Sequence, residues 1–167
     1  VPMAVWIDEE GRVVRPPETA GSSDEFRSMD RQTFQMTEEA TARLRHRRGV
    51  YLDALRDWAR NGAASPSVLS AEEVRRRLAG PGEEQARATA WFRLGTHLAA
   101  EGHGGDARAA FDEALRLWPE SWSIRRQAWA LEDPAKAGGP EFWAAVDALG
   151  DRRYYPEVDL PGFAPGE

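Results

Sequence analysis

Trp91-Phe92-Arg93-Leu94-Gly95-Thr96-His97-Leu98 is the stretch of sequence that decides the fold of this chain. Its apolar residues Trp91, Leu94 and Leu98 are three and four positions apart, so a helix carries them on one face. Gly95 lies in the middle of this helix, where glycine costs about 1 kcal/mol relative to alanine. The stretch therefore predicts an amphipathic helix, within about 83–100, that a neighbouring helix approaches closely at Gly95.

A second helix is predicted at about 106–118, after a glycine-rich turn. Phe111 and Ala114 share one face of this helix, and the small Ala107 lies where we expect Gly95 to need space. Pro119 ends the helix, because proline cannot continue one. We therefore predict two antiparallel helices whose apolar faces meet, with Trp91 buried between them.

The spacing of these residues resembles a tetratricopeptide repeat over residues 88–121. The signature positions are Trp91, Leu94, Gly95, Leu98, Ala107, Phe111, Ala114 and Pro119. Leu98 is the one departure, since the family usually has tyrosine there. The resemblance implies a small array of stacked helical hairpins that binds other proteins. A helix at about 120–131 lacks the repeat pattern and is interpreted as a closing helix that covers the hairpin.

Residues 1–15 predict a β-hairpin, because two short apolar runs flank the turn Asp8-Glu9-Glu10-Gly11. Pro16 and Pro17 are expected to end it, since neither can donate to a strand ladder. An isolated hairpin is marginally stable in water, so these strands need further strands or a helix layer. Its unpaired edge, with Trp6, could also pair with a second copy of the chain, which leaves the oligomeric state open.

This hairpin, together with Val1-Pro2, resembles the closing hairpin of thioredoxin-like redoxins, with Pro2 as the candidate cis-proline. The matching pattern is Ile7-Asp8-Glu9-Glu10-Gly11-Arg12-Val13-Val14. In that family the proline loop lies against cysteines from an earlier segment, whereas this chain has no cysteine. The resemblance implies a remnant of a thioredoxin-like fold, or a truncated chain, since it begins with Val1 and not with methionine. An unrelated hairpin is the other interpretation.

The chain is predicted to be mainly helical, with about six helices and the short N-terminal hairpin. Thr37 is the predicted N-cap of a long first helix, and Glu38 and Glu39 favour its first turn. The predicted segments are the hairpin at 1–15, a linker at 16–36, a helical domain at 37–150 and an extended tail at 151–167. The tail is interpreted as lying back along the helices or as a peptide that docks on another molecule.

Composition excludes several classes of function. The 28 acidic residues outnumber the 22 basic ones, which disfavours a nucleic-acid partner. The basic runs 43–48 and 75–77 are interpreted as solvated faces that pair with local acids. No apolar run reaches the roughly 20 residues of a membrane span, so no membrane partner and a cytoplasmic location are expected. His46, His97 and His103 have no second ligand at a metal spacing, so no metal site is predicted.

The sequence shows no catalytic constellation, so we expect no catalytic residue, no cofactor and no enzymatic activity in this chain. The predicted function is a non-catalytic protein-protein interaction module, whose partner is another protein or a companion domain such as its own thioredoxin-like half. The alternative is the C-terminal portion of a thioredoxin-like thiol oxidoreductase or peroxiredoxin whose active-site cysteines lie upstream.

Overall fold

The computed structural model of the chain describes residues 3–78 and 80–163. Within them the protein is mainly helical, with six α-helices and one two-stranded antiparallel hairpin. This confirms the predicted fold class. The chain divides into two compact units, the first formed by residues 1–79 with 153–167 and the second by residues 80–152.

The first unit begins with strands β1, Met3–Ile7, and β2, Val13–Thr19. They pair antiparallel, with Met3 opposite Thr19 and Ile7 opposite Val13. The prediction that Pro16 and Pro17 end the second strand was wrong. Between the pairs Ala4–Glu18 and Trp6–Arg15, two steps along β1 match three along β2. The two prolines therefore lie at a β-bulge, where a missing N–H group is tolerated.

Two helices complete the regular structure of this unit: α1, Glu38–Asn61, and α2, Ala71–Arg77. Thr37 caps α1 as predicted, since its side chain accepts a hydrogen bond from the Ala40 N–H at 3.1 Å. Ser70 caps α2 in the same way, accepting from the Glu73 N–H at 3.2 Å. Short 3₁₀ turns at Asp24–Ser28 and Gly62–Ala64 flank α1.

The core of the first unit joins the hairpin, α1 and the tail. Its buried residues are Trp6, Tyr51, Val158, Leu160 and Phe163, with Leu55 and Trp58 packed against them. The helix layer that the hairpin requires is thus supplied by α1. The side chain of Trp6, which the sequence placed on an open edge, is only 2% exposed and belongs to this core.

The C-terminal tail lies against the first unit, in agreement with the interpretation that it folds back within the chain. The carboxylate of Asp24, inside the predicted linker, accepts hydrogen bonds from the N–H groups of Tyr154 and Tyr155, both at 2.8 Å. The side chain of Arg15 is 1% exposed and donates to the carbonyl oxygens of Ser67 and Asp159 at 2.8 and 2.9 Å. The tail is therefore held by polar contacts as well as by apolar burial.

Residues 80–152, all described by the structure, form the four helices of the second unit. These are α3, Glu83–Ala100; α4, Gly104–Leu117; α5, Trp122–Glu132; and α6, Pro140–Asp147. Gly102 has a φ of 83° and allows the tight turn between α3 and α4. α4 ends at Leu117, just before Pro119, as the sequence predicts.

The core of the second unit lies between α3, α4 and α5. One cluster contains the buried residues Ala88, Ala114, Leu117 and Ile124, and a second contains Ala107, Phe111 and Ala128. Phe92 of α3 packs against both clusters. The closing helix α5 therefore covers the α3–α4 pair, as predicted, and contributes its own residues to the core.

Candidate functional site

The eight residues singled out in the sequence differ in burial in the structure. Gly95, Ala107, Phe111 and Ala114 are buried at the packing of α3, α4 and α5, and Leu98 is half-buried beside them. Trp91 and Leu94 are 38% and 42% exposed. Pro119 follows α4 and its carbonyl oxygen accepts a hydrogen bond from Arg125. The structure thus brings four of the eight together in the core and leaves two large apolar ones at the surface.

Close approach at Gly95 explains the glycine in the middle of α3. A Cβ atom built at Gly95 would lie 2.5 Å from Cε1 of Phe111, well inside van der Waals contact. The sequence predicted a close approach here but assigned it to Ala107, whereas the ring of Phe111 fills the space. Phe92 joins the same contact, with its ring centroid 5.8 Å from that of Phe111.

The face of α3 that meets α4 differs from the predicted one. Ala88, Phe92 and Gly95 pack inward, whereas Trp91 and Leu94 were expected to do so. The reason is steric, because Ala88 and Gly95 leave room for α4 to come close and an indole between the helices would hold them apart. The expectation that Trp91 is buried between the two helices was therefore wrong.

Trp91 and Leu94 instead form an outward-facing apolar stripe on α3, which we call the α3 stripe, whereas the half-buried Leu98 packs against the core. The spacing of three between Trp91 and Leu94 places them on one side of the helix. The packed residue Phe92 lies on a different side, toward α4 and α5. Exposed tryptophan and leucine side chains on a single helix face are typical of a protein-binding surface.

Charges near the α3 stripe are partly compensated within the unit. Arg116 donates two hydrogen bonds to Glu113, both at 2.7 Å, and these bonds lower the pKa of that carboxyl, with a further contribution from the charge of Arg87. Arg87 lies one turn before Trp91 on the same helix. The stripe is therefore bordered by the cation Arg87, and the nearby carboxylate of Glu113 is already paired with Arg116.

The hairpin carries a second exposed apolar row. Met3, Val5 and Ile7 alternate along β1 and are all exposed, while Trp6 between them points into the core. Among residues 3–78 and 80–163, β2 is the only strand that pairs with β1, so the other edge of β1 has no strand beside it. Pro2, the candidate cis-proline, lies outside the described residues.

The basic runs are engaged with acids of the same unit. Arg43 donates to Glu25 at 3.1 Å, and Arg76 donates to Glu73 at 2.6 and 2.8 Å. Arg47 is buried and lies over the ring of Phe163, 5.6 Å from its centroid. Pairing with local acids, as predicted, describes Arg43, Arg76 and Arg77, whereas Arg47, 3.6 Å from Glu25, belongs to the interior and not to a solvated face.

The sequence reasoning missed an aromatic and basic row on α5. Trp122, Arg125 and Trp129 are spaced by three and four residues, and the guanidinium carbon of Arg125 lies 5.7 and 5.9 Å from the two indole centroids. The spacing was the available signal, but the helix was interpreted only as a cover for the hairpin. We call these three residues the α5 row.

Within the two described ranges, no three histidine, aspartate or glutamate side chains come together in a way that would hold a metal ion. In the same ranges, every helix is too short or too polar to cross a bilayer.

Compared with models of known families, with curated proteins and with solved structures, the chain matches none.

Proposed function

We propose that this protein is a non-catalytic protein-protein interaction module whose second unit is a tetratricopeptide-like helical array. The observation that carries the proposal is the exposure of Trp91 and Leu94 on one face of α3. The Gly95–Phe111 contact supports the repeat-like interpretation, because it supplies the close helix crossing that the repeat spacing requires. The occupant proposed for the α3 stripe is an amphipathic helix of a partner protein.

A helical partner fits this surface better than an extended one. The backbone donors and acceptors of α3 are used within the helix itself, so its outer face offers only side chains. An extended segment on this face would gain no backbone hydrogen bonds from α3, whereas a helix satisfies its own N–H and C=O groups. The spacing of the stripe also matches the ridges that pack into the grooves of a second helix.

The exposed tryptophan supplies most of the expected binding energy. Tryptophan is enriched among the few residues that dominate protein interfaces, where truncation to alanine costs about 2 kcal/mol or more. The part of the Trp91 ring that stays exposed contributes little to the folding of the unit. Because exposure of the Trp91 ring is unfavourable and folding buries only part of it, we expect Trp91 to contact the partner helix.

Site-specific photocrosslinking in the native cells tests this proposal. A photoreactive phenylalanine analogue at Leu94 should form an adduct with apolar residues of one helix in a partner, and Trp91→Ala should abolish that adduct. The same analogue at Arg93, an exposed neighbour outside the stripe, is the matched control. Equal adducts from both positions, or an adduct unaffected by Trp91→Ala, would show that the stripe is not the binding surface.

A second candidate function is favoured by the exposed row on β1. Met3, Val5 and Ile7 face outward beside an edge of β1 that no strand pairs with in the described part of the chain, as in a hairpin that belongs to a larger sheet. The alternative proposal is therefore that β1 receives a strand from a thioredoxin-like segment that carries the active-site cysteines. The protein isolated from its native cells would then reduce insulin disulfides, and the 167 residues alone would not. Turnover by the cysteine-free chain itself would contradict both proposals.

A further inference from the structure

The α5 row holds a cation between two aromatic rings. Arg125 lies one turn from Trp122 and one turn from Trp129 on the same side of α5. Its guanidinium carbon is within 6 Å of both indole centroids, which is the range of a cation-π contact. All three side chains are half-buried, so each keeps a part of its surface open to solvent.

Arg125 is not neutralised by an acid. Among residues 3–78 and 80–163, its side chain donates one hydrogen bond, to the carbonyl oxygen of Pro119 at 3.0 Å, and no carboxylate lies within ion-pair distance. A guanidinium has five N–H donors, so most of those of Arg125 are available to a ligand. Several arginines elsewhere in the chain are paired with carboxylates, for example Arg15 with Glu18 and Arg116 with Glu113.

The charged side chains beside Arg125 along α5 are engaged with other groups. Glu132, the acidic residue of α5, pairs with Arg108 and Lys136 instead. Arg126 donates to the carbonyl oxygen of Ala137 at 3.1 Å and lies over the ring of Phe142. Burial lowers the pKa of Arg125, which reflects the loss of water around its charge. An incoming carboxylate would replace that lost solvation.

We propose that the α5 row binds an acidic side chain, aspartate or glutamate, of a partner peptide whose flanking residues are apolar. The carboxylate would take two parallel hydrogen bonds from the planar guanidinium, a geometry that Arg provides and Lys does not. The two indoles would receive the apolar residues on either side of it. A nucleic-acid ligand is disfavoured because the chain carries a formal charge of −6 and this row contains a single arginine.

This inference stands apart from the proposed function of the α3 stripe, because it uses a different helix and different residues. A failure of the Leu94 crosslink would leave it unchanged. Conversely, Arg125→Gln should leave the Leu94 crosslink unchanged, so the two proposals can fail separately.

The test is a titration of the full chain with a peptide probe, monitored by ¹H–¹⁵N spectra of the indole and guanidinium N–H groups. The probe is a capped hexapeptide with two glutamates between leucines, and the matched peptide has glutamine in both positions. The glutamate peptide should shift the signals of Trp122, Trp129 and Arg125, and the glutamine peptide should bind at least about tenfold more weakly. Added salt should weaken the binding of the glutamate peptide.

Variants of the chain make the result specific. Arg125→Gln should weaken the binding of the glutamate peptide about tenfold or more. Arg125→Lys should weaken that binding to an intermediate degree, because the charge remains and the two parallel guanidinium hydrogen bonds are lost. Arg93→Gln removes the same charge from an exposed arginine on α3 and should have no effect. Circular dichroism checks that each variant is folded. If Arg125→Gln does not fold, Arg125→Lys tests the contribution of the guanidinium in its place.

Three outcomes would overturn the proposal. Equal shifts from both peptides would mean that the row makes apolar contacts only. Inorganic phosphate that saturates the same signals as tightly as the glutamate peptide would make the row a general anion site. Signals that do not move with any probe would show that Arg125 binds no external acid.

Discussion

The indole N–H of Trp6 donates a hydrogen bond to the hydroxyl oxygen of Tyr51 at 3.0 Å, joining residues 45 positions apart. The two rings meet edge to face with their centroids 6.0 Å apart. Trp58 stacks on the ring of Trp6, with the two centroids 5.1 Å apart. Both Trp6 and Tyr51 are buried. This contact fixes the hairpin on α1 and gives two isolated strands the helix layer that they need.

Tyr51→Phe should destabilise the protein by about 1 to 3 kcal/mol, because it leaves the buried indole N–H of Trp6 without an acceptor. Urea unfolding monitored by circular dichroism measures the change. Trp6→Phe and the double variant complete a cycle, in which the Tyr51→Phe effect should shrink once the indole N–H is gone. An unchanged effect in the Trp6→Phe background would place the cost elsewhere.

Gly95→Ala should destabilise the second unit by about 1 to 3 kcal/mol, although alanine favours helices more than glycine does. The added methyl group would lie 2.5 Å from the ring of Phe111, which is buried and has little room to move. Gly49→Ala in α1 is the matched control, since no atom lies within 4 Å of its built Cβ. That change should stabilise by up to about 1 kcal/mol. Thermal unfolding of both variants would refute the packing argument if Gly95→Ala were also stabilising.

Phe34→Gly should stabilise the protein by about 0.5 to 1 kcal/mol. Phe34 has a φ of 57°, the left-handed region that glycine enters without strain, and its side chain is largely exposed, so little burial is lost. The loop is already ordered by Asp30, whose carboxylate accepts hydrogen bonds from the N–H groups of Gln32 and Thr33 at 2.9 and 2.7 Å. Phe34→Ala keeps the strained backbone and should unfold at nearly the same urea concentration as the parent. Equal stability of the glycine and alanine variants would show that the backbone is not strained.

Glu73 should make the stability of the first unit depend on pH in the acidic range. Side-chain hydrogen bonds from Arg76 and Arg77 lower the pKa of Glu73 from 4.5 to about 2. Because the folded state favours the ionised form, the contribution is complete above about pH 4.5 and is lost as the pH falls toward 2. The stability difference between the parent and Glu73→Gln should follow that course and diminish in high salt. A difference that stays constant between pH 6 and pH 2 would contradict it.

Much of the secondary structure is predictable from the sequence because its signals are local. Thr37 caps the helix that it was expected to start, and α3 occupies the predicted 83–100. Capping and proline effects act within one turn of helix, so they are readable without knowing the neighbours. β2 passed its predicted end because a bulge depends on the pairing with β1, which is not a local property.

The wrong assignment of side chains on α3 has a steric cause. Trp91 and Leu94 were expected between the helices, and the structure leaves them 38% and 42% exposed. Large residues at helical spacing define an apolar face, but which of two adjacent faces meets a partner helix depends on how closely that helix can approach. Ala88 and Gly95 allow the closer approach and so turn Trp91 outward. The surface that we propose for binding is a consequence of that choice.

The sequence by itself determined that this chain is a set of helices with a short N-terminal hairpin, because periodicity, caps and prolines act over a few residues. Only the tertiary structure decided where Trp6, Trp91 and Arg125 lie, and that the tail is part of the first unit. Burial is set by contacts between segments far apart in the chain, such as Asp24 with Tyr154, and such contacts leave no pattern in a single sequence.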